Sequence, residues 1–229
     1  MIDAGDALSL PRLVVLLALT ALPVVATSAI YRVVRPPNLP WLRPIYLGFV
    51  VYAIANWVTF ALVVAVAGWP ALRVCGLSLR LSLWRIVSAC AAFVAGITIY
   101  SVVSATLRHW NLPPIGGMNF VDPTMLELTA LFGSAVLTAG FCEEVFFRVL
   151  WIGAARRHVP LALAVTASVV VFAAIHFPHF GIGGVVFISA WTTLPVTLFL
   201  LFGDCASPLL LHLMNNTFAY IIVPLLLRP

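Results

Sequence analysis

The sequence predicts an all-α fold, a polytopic bundle of transmembrane helices with about seven spans and room for eight. Three observations predict it. Of 229 residues, 63% are apolar or aromatic and only 8% are charged, where a soluble domain carries about a quarter charged. The mean hydropathy is +1.14. The apolar residues also gather into runs close to the roughly 20 that a helix needs to cross a hydrocarbon core of about 30 Å. This composition excludes an ordinary cytosolic enzyme, and it excludes disorder, which requires low hydrophobicity and high charge.

In chain order the runs are Leu13 to Val34, Tyr46 to Gly68, Ile86 to Leu107, Met125 to Trp151, Leu161 to Phe177, Val185 to Phe202 and Pro208 to Leu227. The first has small residues near Ala26 to Ala29, as a signal peptide has. Its leader sets Asp3 and Asp6 against the single Arg12, a poor match to a positive leader, so it reads as a retained span. Leu77 to Trp84 alternates apolar and polar residues around Arg80 and ends in Trp84 and Arg85, which suits a segment lying among the headgroups. The longest polar connection is Arg108 to Thr124, with Pro-rich turns and Gly116-Gly117. It divides the chain into N-terminal membrane helices (1–107), a polar loop (108–124) and a helical core that carries the chemistry (125–229).

The net charge is +5, and all 12 basic residues are arginine. Most stand singly beside apolar runs, as membrane anchors do, and nucleic acid is not expected as a partner. Arg12, Arg73, Arg80, Arg85, Arg156 and Arg157 fall on one side of seven spans, and Arg32, Arg35, Arg43, Arg108 and Arg228 on the other, which leaves the orientation open. Cys75, Cys90, Cys142 and Cys205 lack C-x-x-C spacing and read as small hydrophobes.

A few polar residues remain inside apolar runs. Glu143, Glu144 and Arg148 lie within the fourth run, where adjacent carboxylates are costly without partners or a wet cavity. On an α-helix Glu144 and Arg148 share a face at i and i+4, while Glu143 points about 100° away and lacks a local cation. A carboxylate so placed is a candidate general base. The fifth run ends in His176, with Phe172 one turn earlier on the same face, and His179, past Pro178, is expected in a loop. The seventh run places His212 and Asn216 on one face, and N–H groups aimed into one cavity can hold an oxyanion. Taken alone, each set also fits a structural ion network or interhelical hydrogen bonding.

Depth allows the sets to approach. With a hairpin turn near Arg157, Glu143 lies 14 residues before it and His176 lies 19 after it, about 21 and 28 Å along the helices. His212 is 8 residues past a turn at Asp204, only about 12 Å along, so tilt or a break near Pro195 is needed to bring it level.

These motifs, in this order on three late apolar helices, resemble the type II CAAX prenyl endopeptidase family, the wider group of CAAX-processing and bacteriocin-processing (CPBP, or ABI) intramembrane proteases. Glu143, Glu144 and Arg148 match its E-E-x-x-x-R, Phe172 and His176 its F-x-x-x-H, and His212 and Asn216 its H-x-x-x-N. The stretch from Gly203 to His212 is similar to that family's lead-in to the third motif. The resemblance covers about Thr124 to Leu227 and implies a multi-pass integral membrane endopeptidase. In it Glu143 and His176 activate a water, His212 and Asn216 stabilise the oxyanion, and Glu144, Arg148 and Phe172 orient the site. The implied partners are the lipid bilayer and a membrane-associated protein or peptide substrate, with prenylated CAAX peptides and bacteriocin-like leaders both allowed; the oligomeric state stays open. No cofactor is expected. Zinc is the alternative, disfavoured because no H-E-x-x-H is present, and Cys142 is rejected as a nucleophile because its carboxylate neighbours disfavour a thiolate. The competing reading is a non-catalytic membrane protein, for transport or partner binding, with a structural polar network.

Overall fold

The structure is a computed structural model that describes residues 8–34, 41–116, 120 and 122–226, with the side chains of 31–34 excluded. Asp3, Asp6, Arg35, Arg228 and the side chain of Arg32, all used in the topology reading, lie outside the described residues. Within them the regular elements are helices. Six are long and apolar enough to cross a membrane: Leu10–Ile30, Pro44–Ala67, Leu83–His109, Met125–Arg157, Phe177–Phe202 and Ala206–Leu226. The seventh expected span is the 15-residue helix Leu161–Ile175, only about 22 Å long against a core of about 30 Å. Val94 and Leu201 are 62% and 66% exposed. On helices of this length such side chains meet lipid rather than water, so they carry no hydrophobic penalty.

The chain forms two compact units. The first comprises Met1–Val74, Phe120–Phe146 and His212–Pro229; the second comprises Cys75–Asn119 and Phe147–Leu211.

In the first unit α1 (Leu10–Leu19) and α2 (Leu22–Val34) precede α3 (Pro44–Ala67) and the short α4 (Trp69–Val74). Pro44 opens α3 in the first turn, where its missing N–H costs nothing. Beside it Arg43 closes a fork on Glu127, with Nε and Nη2 each 2.7 Å from a carboxylate oxygen. The hydrogen bond to Glu127 raises the pKa of Arg43 further. Glu127 also completes a capping box with Thr124 at the start of the helix that follows the polar loop. One carboxylate therefore fixes two helix starts. Behind this clamp, Leu42, Tyr46 and Leu131 are buried, with Phe49, Phe120 and Tyr220 packed against them.

In the second unit α5 (Leu83–His109) starts at Ser82, whose hydroxyl accepts the Arg85 N–H, and Arg85 pairs with Asp204 at 2.5 Å. Of the segment Leu77 to Trp84 expected at the headgroups, residues 77–82 are non-helical chain, with Leu79 and Leu81 exposed, and Leu83 and Trp84 already belong to α5. Burial pushes the Cys75 thiol up, which fits a cysteine acting as a small hydrophobe.

The helix after the loop is not uniform. Residues Met125–Leu131 form α6 and Gly140–Glu144 form α7, but Phe132–Ala139 and Val145–Ala154 are π-helical. A π-turn closes i to i+5, so these stretches advance by less than the α-helical angle per residue, and residues four apart stay close together around the helix. The expected turn near Arg157 is a 3-10 turn, Ala155–Arg157, before α8 (Leu161–Ile175).

His179 is not in a loop. Pro178 sits in the first turn of α9 (Phe177–Phe202), a position proline favours, and His179 N–H returns to His176 O at 3.1 Å. The break in α9 is at Gly181, with φ 63° and ψ −169°, not at Pro195. That backbone region is open essentially to glycine alone. Helix α9 ends at Gly203 in the left-handed region, and α10 (Ala206–Thr217), a π-turn Phe218–Ile222 and α11 (Val223–Leu226) complete the described chain.

Candidate active site

Four of the seven expected site residues, Glu143, Glu144, His212 and Asn216, lie in the first unit, and all four are at most 7% exposed. Glu143 and Glu144 end α7, between the two π-helical stretches, and His212 and Asn216 share one face of α10. His212 reaches both carboxylates. Its Nδ1 is 2.8 Å from Glu144 Oε1, and its Nε2 is 3.6 Å from Glu143 Oε2. A carboxylate accepts only, so Nδ1–H is the donor to Glu144, and the tautomer of the neutral ring is set with its lone pair on Nε2. Nε2 then faces Glu143. The depth deficit foreseen for His212 from residue counting is absent.

Glu143 lacks neither a partner nor orientation. The Tyr52 hydroxyl donates to Glu143 Oε1 at 2.9 Å. The two oxygens of this carboxylate thus differ, one accepting from a phenol and the other facing an imidazole nitrogen.

Asn216 has a task of its own. Its Nδ2 donates to Ala135 O at 2.8 Å. Ala135 lies in the π-helical stretch, and past it Gly140 N–H turns to Leu137 and Val136 O. Wide turns shift which carbonyls are served within the helix, and a side-chain amide from a neighbouring helix makes up the difference. Asn216 keeps a second N–H for other use.

Arg148, Phe172 and His176 lie in the second unit. Arg148 is fully buried, with its guanidinium carbon 5.2 Å from the centre of the Phe172 ring. The Phe172 ring lies 4.7 Å from the His176 ring, as their shared face predicted. His176 ends α8, and its Nδ1–H donates to Phe172 O at 2.7 Å, which leaves Nε2 as the basic nitrogen of the neutral ring. Phe147 stacks edge-on against Phe172 at 5.0 Å, and Ser168 Oγ donates to Phe147 O at 2.7 Å. The loop before residue 117 lies against the same end of α8: Gly116 N–H donates to Phe180 O at 3.0 Å, and Phe180 lies 6.0 Å from His176, ring to ring.

Sequence reasoning found the α3 run but placed the chemistry in residues 125–229 and named no site residue on α3. Tyr52, Asn56 and Thr59 are spaced i, i+4 and i+7 along it, a polar stripe in an apolar helix, and that spacing was the available signal. Asn56 Nδ2 donates to Tyr52 O at 2.9 Å. Trp57 Nε1 donates to Thr138 Oγ1 at 3.1 Å, and Trp57 stacks on Phe141, so α3 is pinned directly beside the glutamates.

Among the described residues no three His, Cys, Asp or Glu side chains are grouped as metal ligands would be. What the first unit can do is proton chemistry, since a carboxylate oxygen and an imidazole nitrogen face each other at 3.6 Å with the remaining atoms of both groups already tied.

Residues 125–218 match the family model described as type II CAAX prenyl endopeptidase Rce1-like. No curated protein and no solved structure matches the chain. The match and the six long apolar helices make this a multi-pass integral membrane protein.

Proposed function

Starting from an Rce1-like segment over residues 125–218 in a membrane-embedded helical protein, we propose that the chain is an intramembrane endopeptidase. It hydrolyses a peptide bond in a membrane-associated protein or peptide, with prenylated CAAX-type substrates included. The observation that carries this reading is the Glu144–His212–Glu143 array, an imidazole held by one carboxylate and facing a second. Structural ion pairing alone does not require that order.

Glu143 Oε2 takes a proton from water as the water oxygen bonds to the scissile carbonyl carbon, and the carbonyl π pair moves onto its oxygen. His212, its ring held by Glu144 through Nδ1, and the second N–H of Asn216 stabilise that oxyanion. When the intermediate collapses the C–N bond breaks, and the proton on Glu143 passes to the departing nitrogen. His176 enters from its motif, as a second base for the water, with Phe172 and Arg148 fixing its ring. No metal takes part in the proposed reaction.

The test is cleavage of a membrane-associated peptide by purified protein in detergent or liposomes. Glu143→Gln is expected to lower cleavage by at least about 100-fold with unchanged thermal unfolding, and chelator is expected to leave the wild-type rate unchanged. Full activity of Glu143→Gln overturns the glutamate mechanism. Loss on chelation, restored by zinc, overturns the metal-free one.

A further inference from the structure

A general base must be held both in place and in its ionised form. Glu143 is 5% exposed, and an ionised carboxylate so far from water needs hydrogen bonds to offset lost hydration. One comes from outside the segment that carries the three motifs. Tyr52 Oη donates to Glu143 Oε1 at 2.9 Å, from a helix 91 positions earlier in the chain.

The placement of Tyr52 is itself fixed. Asn56 Nδ2 ties to the Tyr52 carbonyl at 2.9 Å, and one turn on, Trp57 hydrogen-bonds Thr138 and stacks on Phe141 at 5.8 Å. Phe60 meets the same Phe141 ring at 5.2 Å. Three contacts along α3 thus lock its height and rotation against the helix that carries Glu143. A phenol on a rigid helix is a donor that arrives without ordering cost.

We infer that Tyr52 is the positioning residue of Glu143: its hydroxyl captures Oε1, so that Oε2, the oxygen facing His212 Nε2, is the one that accepts the proton. The inference rests on the hydrolase reading for its consequence, but the contact itself does not. Tyr52 acts through Glu143 and touches no reacting atom. A hydrogen bond to a charged group corresponds to roughly 10-fold to 100-fold in an equilibrium or rate, and that range sets the expectation.

Two measurements on Tyr52→Phe, which keeps the ring, test it. In the cleavage assay kcat is expected to fall by about 10-fold to 100-fold with KM changed by less than about threefold, since binding contacts are untouched. The second readout needs no activity. Dicyclohexylcarbodiimide attacks buried carboxyl groups in their acid form, and mass spectrometry of the labelled protein follows Glu143. Without the phenol donor the ionised form is held less well, and Glu143 is expected to label several times faster than in the wild type. A kcat within twofold of wild type, or an unchanged labelling rate in a variant that unfolds at the wild-type temperature, overturns the assignment. If the wild type cleaves nothing while labelling still depends on Tyr52, the hydrolase reading falls and the hold on Glu143 stands.

Discussion

Thr59 is fully buried on α3, and its hydroxyl has no hydrogen-bond partner among the described residues; the same is true of Asn56 Oδ1. An unsatisfied buried hydroxyl costs about 1–3 kcal/mol. Thr59→Val keeps the shape and removes the polar atom, so it is expected to raise stability by about 1 kcal/mol, read as a higher unfolding temperature in detergent. A lower temperature would mean that the hydroxyl is in use. Tyr52 contrasts with it on the same helix, as its polar atom is engaged and its removal is expected to cost function rather than stability. Residue identity was the most legible level of the site. An acidic pair in an apolar run is conspicuous because it is costly, whereas a tyrosine in such a run is ordinary and gains meaning only from what it touches.

At the scale of the element, helix existence followed from apolar run length, and the misreadings came from glycine and proline. Pro178 was read as a break and instead begins α9, because proline is harmless in a first turn. Tilt or a break near Pro195 was the expected way to bring His212 level, but the chain bends at Gly181, where only glycine accepts the backbone angles. Just past that bend Gly183 admits the polar loop: a Cβ there would stand 2.4 Å from Pro114 O and 2.6 Å from Pro113 O. Gly183→Ala is therefore expected to push the loop off α9. Backbone amides of the loop should then exchange hydrogen at least about tenfold faster, with α5 unaffected. Unchanged exchange would show that the loop is held elsewhere.

On the scale of the whole molecule, the family match begins at residue 125, yet the first unit draws on Met1–Val74 as well. Arg43 clamps Glu127, and Tyr52 holds Glu143, so the segment with the motifs does not contain all that orders them. A chain starting at residue 108 is expected to lose cleavage entirely, even where it still inserts in membranes; wild-type activity in that truncation would make the N-terminal helices dispensable. Such long-range ties were illegible in advance because composition and periodicity describe each helix by itself. The π-helical stretches on either side of Glu143 and Glu144 have a final consequence. An α-helix advances about 100° per residue, so a helix interrupted by wide turns carries a phase offset that depends on how many residues it contains. Length here is information of the same standing as residue type. Two chains with identical motifs but one residue more or fewer between Phe132 and Ala154 would aim their side chains along different bearings, and counting, rather than matching letters, would tell them apart.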